Sequence, residues 1–255
     1  MKFPRCSIGQ PRSYLSIIMT AIFLMIISGC SLLHNQANVQ VEDSVPVSED
    51  GKYLTESAKY WQEKVKEFKK ANSEIPEGGI LFLGDSITER APFAEDFSDF
   101  NIINRGIGGD KIGGWKYYGV LDRLDETVIV LKPRKVFLMI GINDIVYANT
   151  PERNMKKNMK RLLKTLKKSL PDTEIYVHSI LPARESFSKY NDEVREYNAF
   201  LEKLSRRYGI KYVDLYPIFA DDQDVLDEKY AKDAVHLNQK GYEVWENVIR
   251  TYLYR

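Results

Sequence analysis

The chain has 255 residues, 37 basic against 36 acidic, with a formal net charge of +1 and 44% hydrophobic residues. A balance this even gives no electrostatic footprint for nucleic acid, and the length suits one domain with a substantial core. Both cysteines, Cys6 and Cys30, fall in the first 30 residues, so the rest of the chain holds no disulfide, cysteine metal site or thiol nucleophile.

Met1 to Gly29 carries Lys2, Arg5 and Arg12 with no acidic residue, then an apolar stretch from Tyr14 to Ile27. A basic start followed by an apolar run is the pattern of a secretory signal, and the run is short of the ~20 apolar residues a spanning helix needs. An uncleaved anchor is the other reading. Ile27-Ser28-Gly29-Cys30 resembles the lipobox of bacterial lipoproteins. That resemblance implies a signal peptide over residues 1–29, acylation of Cys30, and a protein of the bacterial cell envelope. It would sit on the outer face of the cytoplasmic membrane or in the outer membrane, held by lipid without spanning. The processed chain would carry 34 basic against 36 acidic residues. Residues 30–51 are polar, short of aromatics and interrupted by Pro46, and read as a flexible tether. Residues 52–255 remain as one folded domain without internal repeats.

In that domain, a helix is expected from Thr55 to Ala71, with Tyr60, Trp61, Val65 and Phe68 on one side facing a sheet. Ile80 to Leu83 reads as a buried strand that stops at Gly84-Asp85-Ser86. A serine on the turn leaving a parallel strand has its hydroxyl at the sheet rim, where open α/β folds bind ligands. Asp85 or Ser86 would equally serve as a helix cap. Asn101–Asn104 is the second strand candidate. The glycines Gly106, Gly108 and Gly109 follow it, but Lys111 and Trp115 break the dinucleotide and P-loop patterns. Such glycines can instead present backbone N–H groups to developing negative charge. The third strand candidate, Val136–Ile140, ends in Gly141-Ile142-Asn143-Asp144, where Asn143 either forms an Asx turn or offers an amide donor on the same edge.

The helix expected from Glu152 to Leu170 is strongly basic, yet Met155, Met159, Leu162, Leu163, Leu166 and Leu170 form an ordinary apolar stripe. Its lysines are expected on a solvated face rather than at a membrane. Ile175–Ile180 and Ile210–Asp214 complete five strand candidates alternating with helices, which implies a parallel sheet with right-handed crossovers. The acidic run around Asp221, Asp224 and Asp227 lacks the EF-hand spacing and glycine and reads as a loop. Of three histidines, His34 lies in the tether and His178 inside a strand, where a hydrogen-bonded core histidine is expected. His236 is the general-base candidate, because Asp233, three residues earlier on a turn, can reach its Nδ1–H. Asp233 and Asn238 could instead simply cap the helix start.

Gly84-Asp85-Ser86, the glycine after strand two, Gly141-Ile142-Asn143-Asp144 and Asp233-Ala234-Val235-His236, in this order, resemble the SGNH hydrolase superfamily, or GDSL esterases and lipases. The resemblance covers Gly79 to Tyr254. It implies a three-layer α/β/α, flavodoxin-like fold on a five-stranded parallel sheet. It also implies catalytic Ser86, Asp233 and His236, with the Ser86 N–H, the Gly109 N–H and the Asn143 side chain as oxyanion hole. No metal or organic cofactor is implied. The most similar members point to a small-molecule or glycan ester with a short, acetyl-sized acyl group. Trp115, with Tyr117 and Tyr118, follows closely on Gly109 and is expected either to close the acyl end of the site or to pack under the sheet edge as core.

Overall fold

The computed structural model describes residues 56–113, 118–147 and 150–254. The expected signal segment, the tether with Cys30, and Trp115 and Tyr117 lie outside these residues.

Five strands form one parallel sheet: β1 (Ile80–Gly84), β2 (Ile102–Gly106), β3 (Lys135–Met139), β4 (Glu174–His178) and β5 (Lys211–Val213). Their order is β2-β1-β3-β4-β5. Helix α1 (Glu56–Ala71) precedes β1, and the single turns α2 (Ser86–Glu89) and α3 (Phe93–Asp96) lie between β1 and β2. Helix α4 (Val120–Thr127) connects β2 to β3, and α5 (Ile142–Val146) with α6 (Glu152–Ser169) connects β3 to β4. Helix α7 (Asn191–Tyr208) leads to β5, and α8 (Tyr216–Phe219) and α9 (Gln239–Leu253) close the chain. Because β1 has β2 on one side and β3 on the other, the connections leaving these strands diverge. They open a crevice at the C-terminal edge of β1.

The sheet is covered on both faces, so β1 and β3 are buried at every position. On one face Leu81, Leu83, Val136, Leu138 and Val177 pack with residues of α4, α6 and α7. On the other, Phe82, Phe137 and Tyr176 pack with Phe93 of α3 and with Trp245 and Ile249 of α9. Helix α6 forms because its apolar residues recur on one side. Met155, Met159, Leu162, Leu163 and Leu166 are buried there, each worth about 1.5–3 kcal/mol on removal from water. Lys157, Lys160, Arg161, Lys164, Lys167 and Lys168 are exposed, as the stripe predicts. The acidic segment is a loop, in which Asp221 accepts the Gln223 and Val225 N–H groups and Asp224 pairs with Arg195.

Two expectations are corrected. Helix α1 meets the sheet only at its β2 edge, where the Phe68 ring lies 4.5 Å from the Arg105 guanidinium, and does not cover a sheet face. Val65 and Phe68 are buried against Ile107, just past β2, with Trp61 beside them, while Tyr60 is 41% exposed. His178 is indeed core, tilted against Phe137 and edge-on to Trp245, but neither ring nitrogen has a hydrogen-bond partner.

That burial pushes the His178 imidazole down to about 3. Its folded-state value is therefore below the ordinary one, so the stability it permits is full above about pH 6.5 and lost as pH falls. The unfolded chain takes a proton that the folded one refuses. Relative to His178→Phe, the wild-type protein should lose up to about 1.4 kcal/mol per pH unit between pH 6 and pH 4. Denaturant titrations of both proteins across that range check this, and parallel curves would show that His178 protonates in the folded state.

Candidate active site

Strand β1 ends at Gly84, and Asp85 caps the turn that follows by accepting the Ile87 N–H at 3.0 Å. Ser86 is the first residue of that turn. The turn can sit over the sheet edge because Gly106, paired in register with Gly84, has no side chain. A Cβ there would come within 2.2 Å of the Glu89 backbone nitrogen. From the other side Tyr242 of α9 donates to the Ile87 carbonyl at 2.9 Å.

The His236 ring arrives from the loop before α9. Asp233 Oδ1 accepts the backbone N–H of Val235 at 3.1 Å and of His236 at 2.9 Å, a tight turn that folds the carboxylate back onto the ring. Nδ1 lies 2.9 and 2.8 Å from the two Asp233 oxygens, and Nε2 lies 2.8 Å from Ser86 Oγ. A carboxylate only accepts, so Nδ1 carries the hydrogen and Nε2 is left to accept from the Ser86 hydroxyl. Burial pushes the Asp233 carboxyl up, but the Val235 and His236 N–H groups and the His236 ring outweigh it and hold it below the usual range. Ser86, Asp233 and His236 are thus in hydrogen-bonded contact.

Gly109 stands on the loop after β2 with φ +74°, a conformation that favours glycine. No backbone acceptor among the described residues takes its N–H, whereas the Gly108 N–H donates to Glu89 Oε2 at 2.8 Å. Asn143, in α5, is buried and donates to the Asp110 carbonyl at 2.9 Å, and in return Asp144 Oδ2 accepts the Ile112 N–H at 3.0 Å. The β2 and β3 loops are therefore laced together where Gly109 and Asn143 sit. Ser86, Gly109, Asn143 and His236 line one cleft of about 660 Å³. The N-terminus of α1 supplies part of its wall through Glu56, Ser57 and Tyr60.

Beneath the loop is a buried ion pair that the sequence reading missed. Arg123 Nε and Nη2 donate to Asp110 Oδ2 at 2.9 and 2.7 Å. Asp110 Oδ1 accepts from Trp61 Nε1 at 3.1 Å and from the Lys111 N–H at 3.0 Å. Burial pushes this carboxyl up and Arg123 opposes it, but four obligate donors on two oxygens fit only the carboxylate. A signal was present: Arg123 falls among Val120, Leu124 and Thr127 on the buried side of α4, where an unpaired arginine has no place. Tyr147, exposed at the rim against Phe187, was missed too and carries no such signal. Tyr118 stacks on Trp61 with ring centres 4.9 Å apart. Among the described residues no group of three or more His, Cys, Asp or Glu could hold a metal ion, and no helix is long and apolar enough to cross a membrane.

The family model described as GDSL-like Lipase/Acylhydrolase family matches residues 82–244. No curated protein matches the chain in sequence. Among solved structures, a Streptococcus pneumonia protein provisionally described as a platelet activating factor is similar at 28% identity and TM-score 0.69, over 76% of this chain and 93% of that one. A GDSL-like lipase from Bacteroides thetaiotaomicron is similar at 26% identity and TM-score 0.64, over 74% and 96%. An acetyl xylan esterase at 20% identity and TM-score 0.57, over 68% and 98%, shares the fold.

Replacing Arg123 by methionine strands the Asp110 carboxylate in the interior, which should cost about 3–5 kcal/mol of unfolding free energy. Equilibrium denaturation measures this. A loss under about 1 kcal/mol would show that Asp110 does not depend on the ion pair.

Proposed function

The chain belongs to the GDSL-like lipase/acylhydrolase family, and on that premise we propose that it is a serine esterase for short, acetyl-sized acyl esters of small polar or glycan alcohols. The observation that carries the reading is the 2.8 Å contact between Ser86 Oγ and His236 Nε2. In this mechanism His236 takes the hydroxyl proton as Ser86 attacks the ester carbonyl, and Asp233 holds the tautomer and steadies the imidazolium. The Ser86 N–H, the Gly109 N–H and the second amide hydrogen of Asn143 receive the oxyanion. His236 returns the proton to the leaving alcohol, and water then releases the acid by the same steps reversed in role. No step needs a metal or organic cofactor.

The make-up of the cleft supports a small acyl group and a polar alcohol part. Among the described residues the wall mixes the apolar and aromatic side chains of Tyr60, Ile87, Ile142, Tyr147 and Val235 with the polar ones of Glu56, Ser57, Glu89, Arg90 and Lys111. An apolar channel for a long acyl chain would need a continuous hydrophobic lining. Trp115 belongs to this proposal as the residue closing the acyl end. Cys30 belongs to it as the lipid anchor that keeps the enzyme at the cell envelope after removal of residues 1–29.

Two experiments test the parts separately. With nitrophenyl esters from acetate to decanoate, kcat/KM should be highest for acetate, and Ser86→Ala should lower kcat by several decades without altering the melting temperature. A preference for octanoate or longer would replace this reading by a lysophospholipase or thioesterase one, and an active Ser86→Ala protein would remove the mechanism. For the anchor, Cys30→Ser should move the protein from the detergent phase to the aqueous phase or leave it as full-length precursor. Unchanged detergent partitioning of a cleaved Cys30→Ser protein would exclude acylation there.

A further inference from the structure

Helix α1 lies wholly before the residues that the family model matches, yet it touches the loop carrying Gly109 at three points. Val65 and Phe68 pack on Ile107. Trp61 Nε1 donates to Asp110 at 3.1 Å. Between these, Tyr60 donates its hydroxyl to Glu89 Oε1 at 2.5 Å, and Glu89 Oε2 accepts the Gly108 N–H at 2.8 Å. We infer that Glu89, braced by Tyr60 of α1, is a positioning residue for the oxyanion hole, holding the Gly108–Gly109 peptide so that the Gly109 N–H faces Ser86. The inference rests on the proposed esterase mechanism and adds to it residues outside the triad.

The covalent geometry explains why Glu89 can do this. It is the last residue of the same single turn whose first residue is Ser86, with its N–H bonded to the Asp85 carbonyl at 2.8 Å. One turn of helix therefore carries the nucleophile at one end and the clamp on the oxyanion loop at the other. The short turn sets where the Glu89 side chain starts relative to Ser86, and its carboxylate, braced by Tyr60, completes the link to the loop. The clamp also settles which amide is offered. Gly108 and Gly109 both line the cleft, and two adjacent glycines have the widest backbone freedom available, so without a restraint either N–H could face the substrate. Glu89 engages one and leaves the other.

The space around Gly108 fits the same role. A Cβ there would lie 3.1 Å from Glu89 Oε2 and 3.6 Å from the Tyr60 ring, so the loop presses its bare backbone against the brace. Lys64, 3.4 Å from Glu89 Oε1, adds a cation from the same helix. Tyr60 is pushed up to about 12, by burial first and then by its hydrogen bond to Glu89.

An N–H that must meet charge developing only in the transition state affects kcat and leaves substrate binding nearly untouched. The test compares wild type, Glu89→Ala, Glu89→Gln and Tyr60→Phe on nitrophenyl acetate, with hydrogen exchange followed at the Gly108 and Gly109 amides. Glu89→Ala should lower kcat about 10- to 100-fold with KM within about twofold, and should speed exchange at Gly108. Glu89→Gln, whose amide oxygen still accepts the Gly108 N–H, should stay within about fivefold of wild type. Tyr60→Phe, which removes one hydroxyl at a part-exposed site, should fall between them and carries the comparison if Glu89→Ala does not fold. A folded Glu89→Ala or Tyr60→Phe protein with wild-type kcat and unchanged exchange overturns the inference, as does a Gln variant as impaired as the Ala one. If the wild-type protein hydrolyses no ester, the esterase reading fails by itself, and the clamp stands or falls on the exchange rates alone.

Discussion

One guanidinium organises the edge of the sheet at which the cleft opens. Arg123 is fully buried, and besides Asp110 it donates to the Arg105 carbonyl at 2.8 Å and approaches the Gly84 carbonyl at 3.4 Å. It thus ties the ends of β1 and β2 to the loop between β2 and α4. Taking both charges out of water is expensive, and an apolar pair of the same volume would be at least as stable. What such a pair could not supply is direction. The fork of N–H groups fixes where Asp110 sits, and the Asp110 carbonyl in turn fixes the Asn143 amide.

The same cation leaves two other acids to themselves. Asp85 and Asp144 are buried nearby, and each is pushed up to about 7, by burial first and further by the charge of Asp110. They serve as hydrogen-bonding braces, one capping the Ser86 turn and the other receiving the Ile112 N–H. The edge thus combines one carboxylate paired with a cation inside, two pushed up by burial, and a fourth, Asp233, held below the usual range where it faces solvent.

What was legible in the sequence was whatever is encoded locally. The five strands fall within a residue or two of the expected runs, most plainly β1 and β3, because a doubly covered parallel strand is apolar on both faces. Ser86, Asn143 and His236 were legible because each follows the end of such a run or a turn of recognisable chemistry. Gly109 was named from the resemblance alone, and the structure adds two differences between the neighbours: the positive φ of Gly109 and the Glu89 bond to the Gly108 N–H. The contacts of α1 were misread because its apolar residues say that it packs and nothing about what it packs on. Tyr60 and Glu89 are 29 residues apart and Trp61 and Asp110 are 49 apart, and no periodicity spans such distances. His178 was misjudged in one respect, since a buried imidazole is ordinarily bonded and this one is enclosed by aromatic rings instead.

The N-terminus of α1 has a consequence for how the enzyme meets its substrate. Glu56 and Ser57 line the cleft, so the chain comes into the folded domain at the mouth of the site and not on its far side. Any surface to which the preceding residues are fixed is thereby joined to that mouth by a single stretch of polypeptide. Esters displayed on the same surface would be encountered at an effective concentration set by the contour of that stretch, independent of their abundance in free solution. Were those residues fixed in that way, chemistry at the cleft would depend on reach as well as on recognition, and the length of the connection would decide which layer of the surroundings is within range.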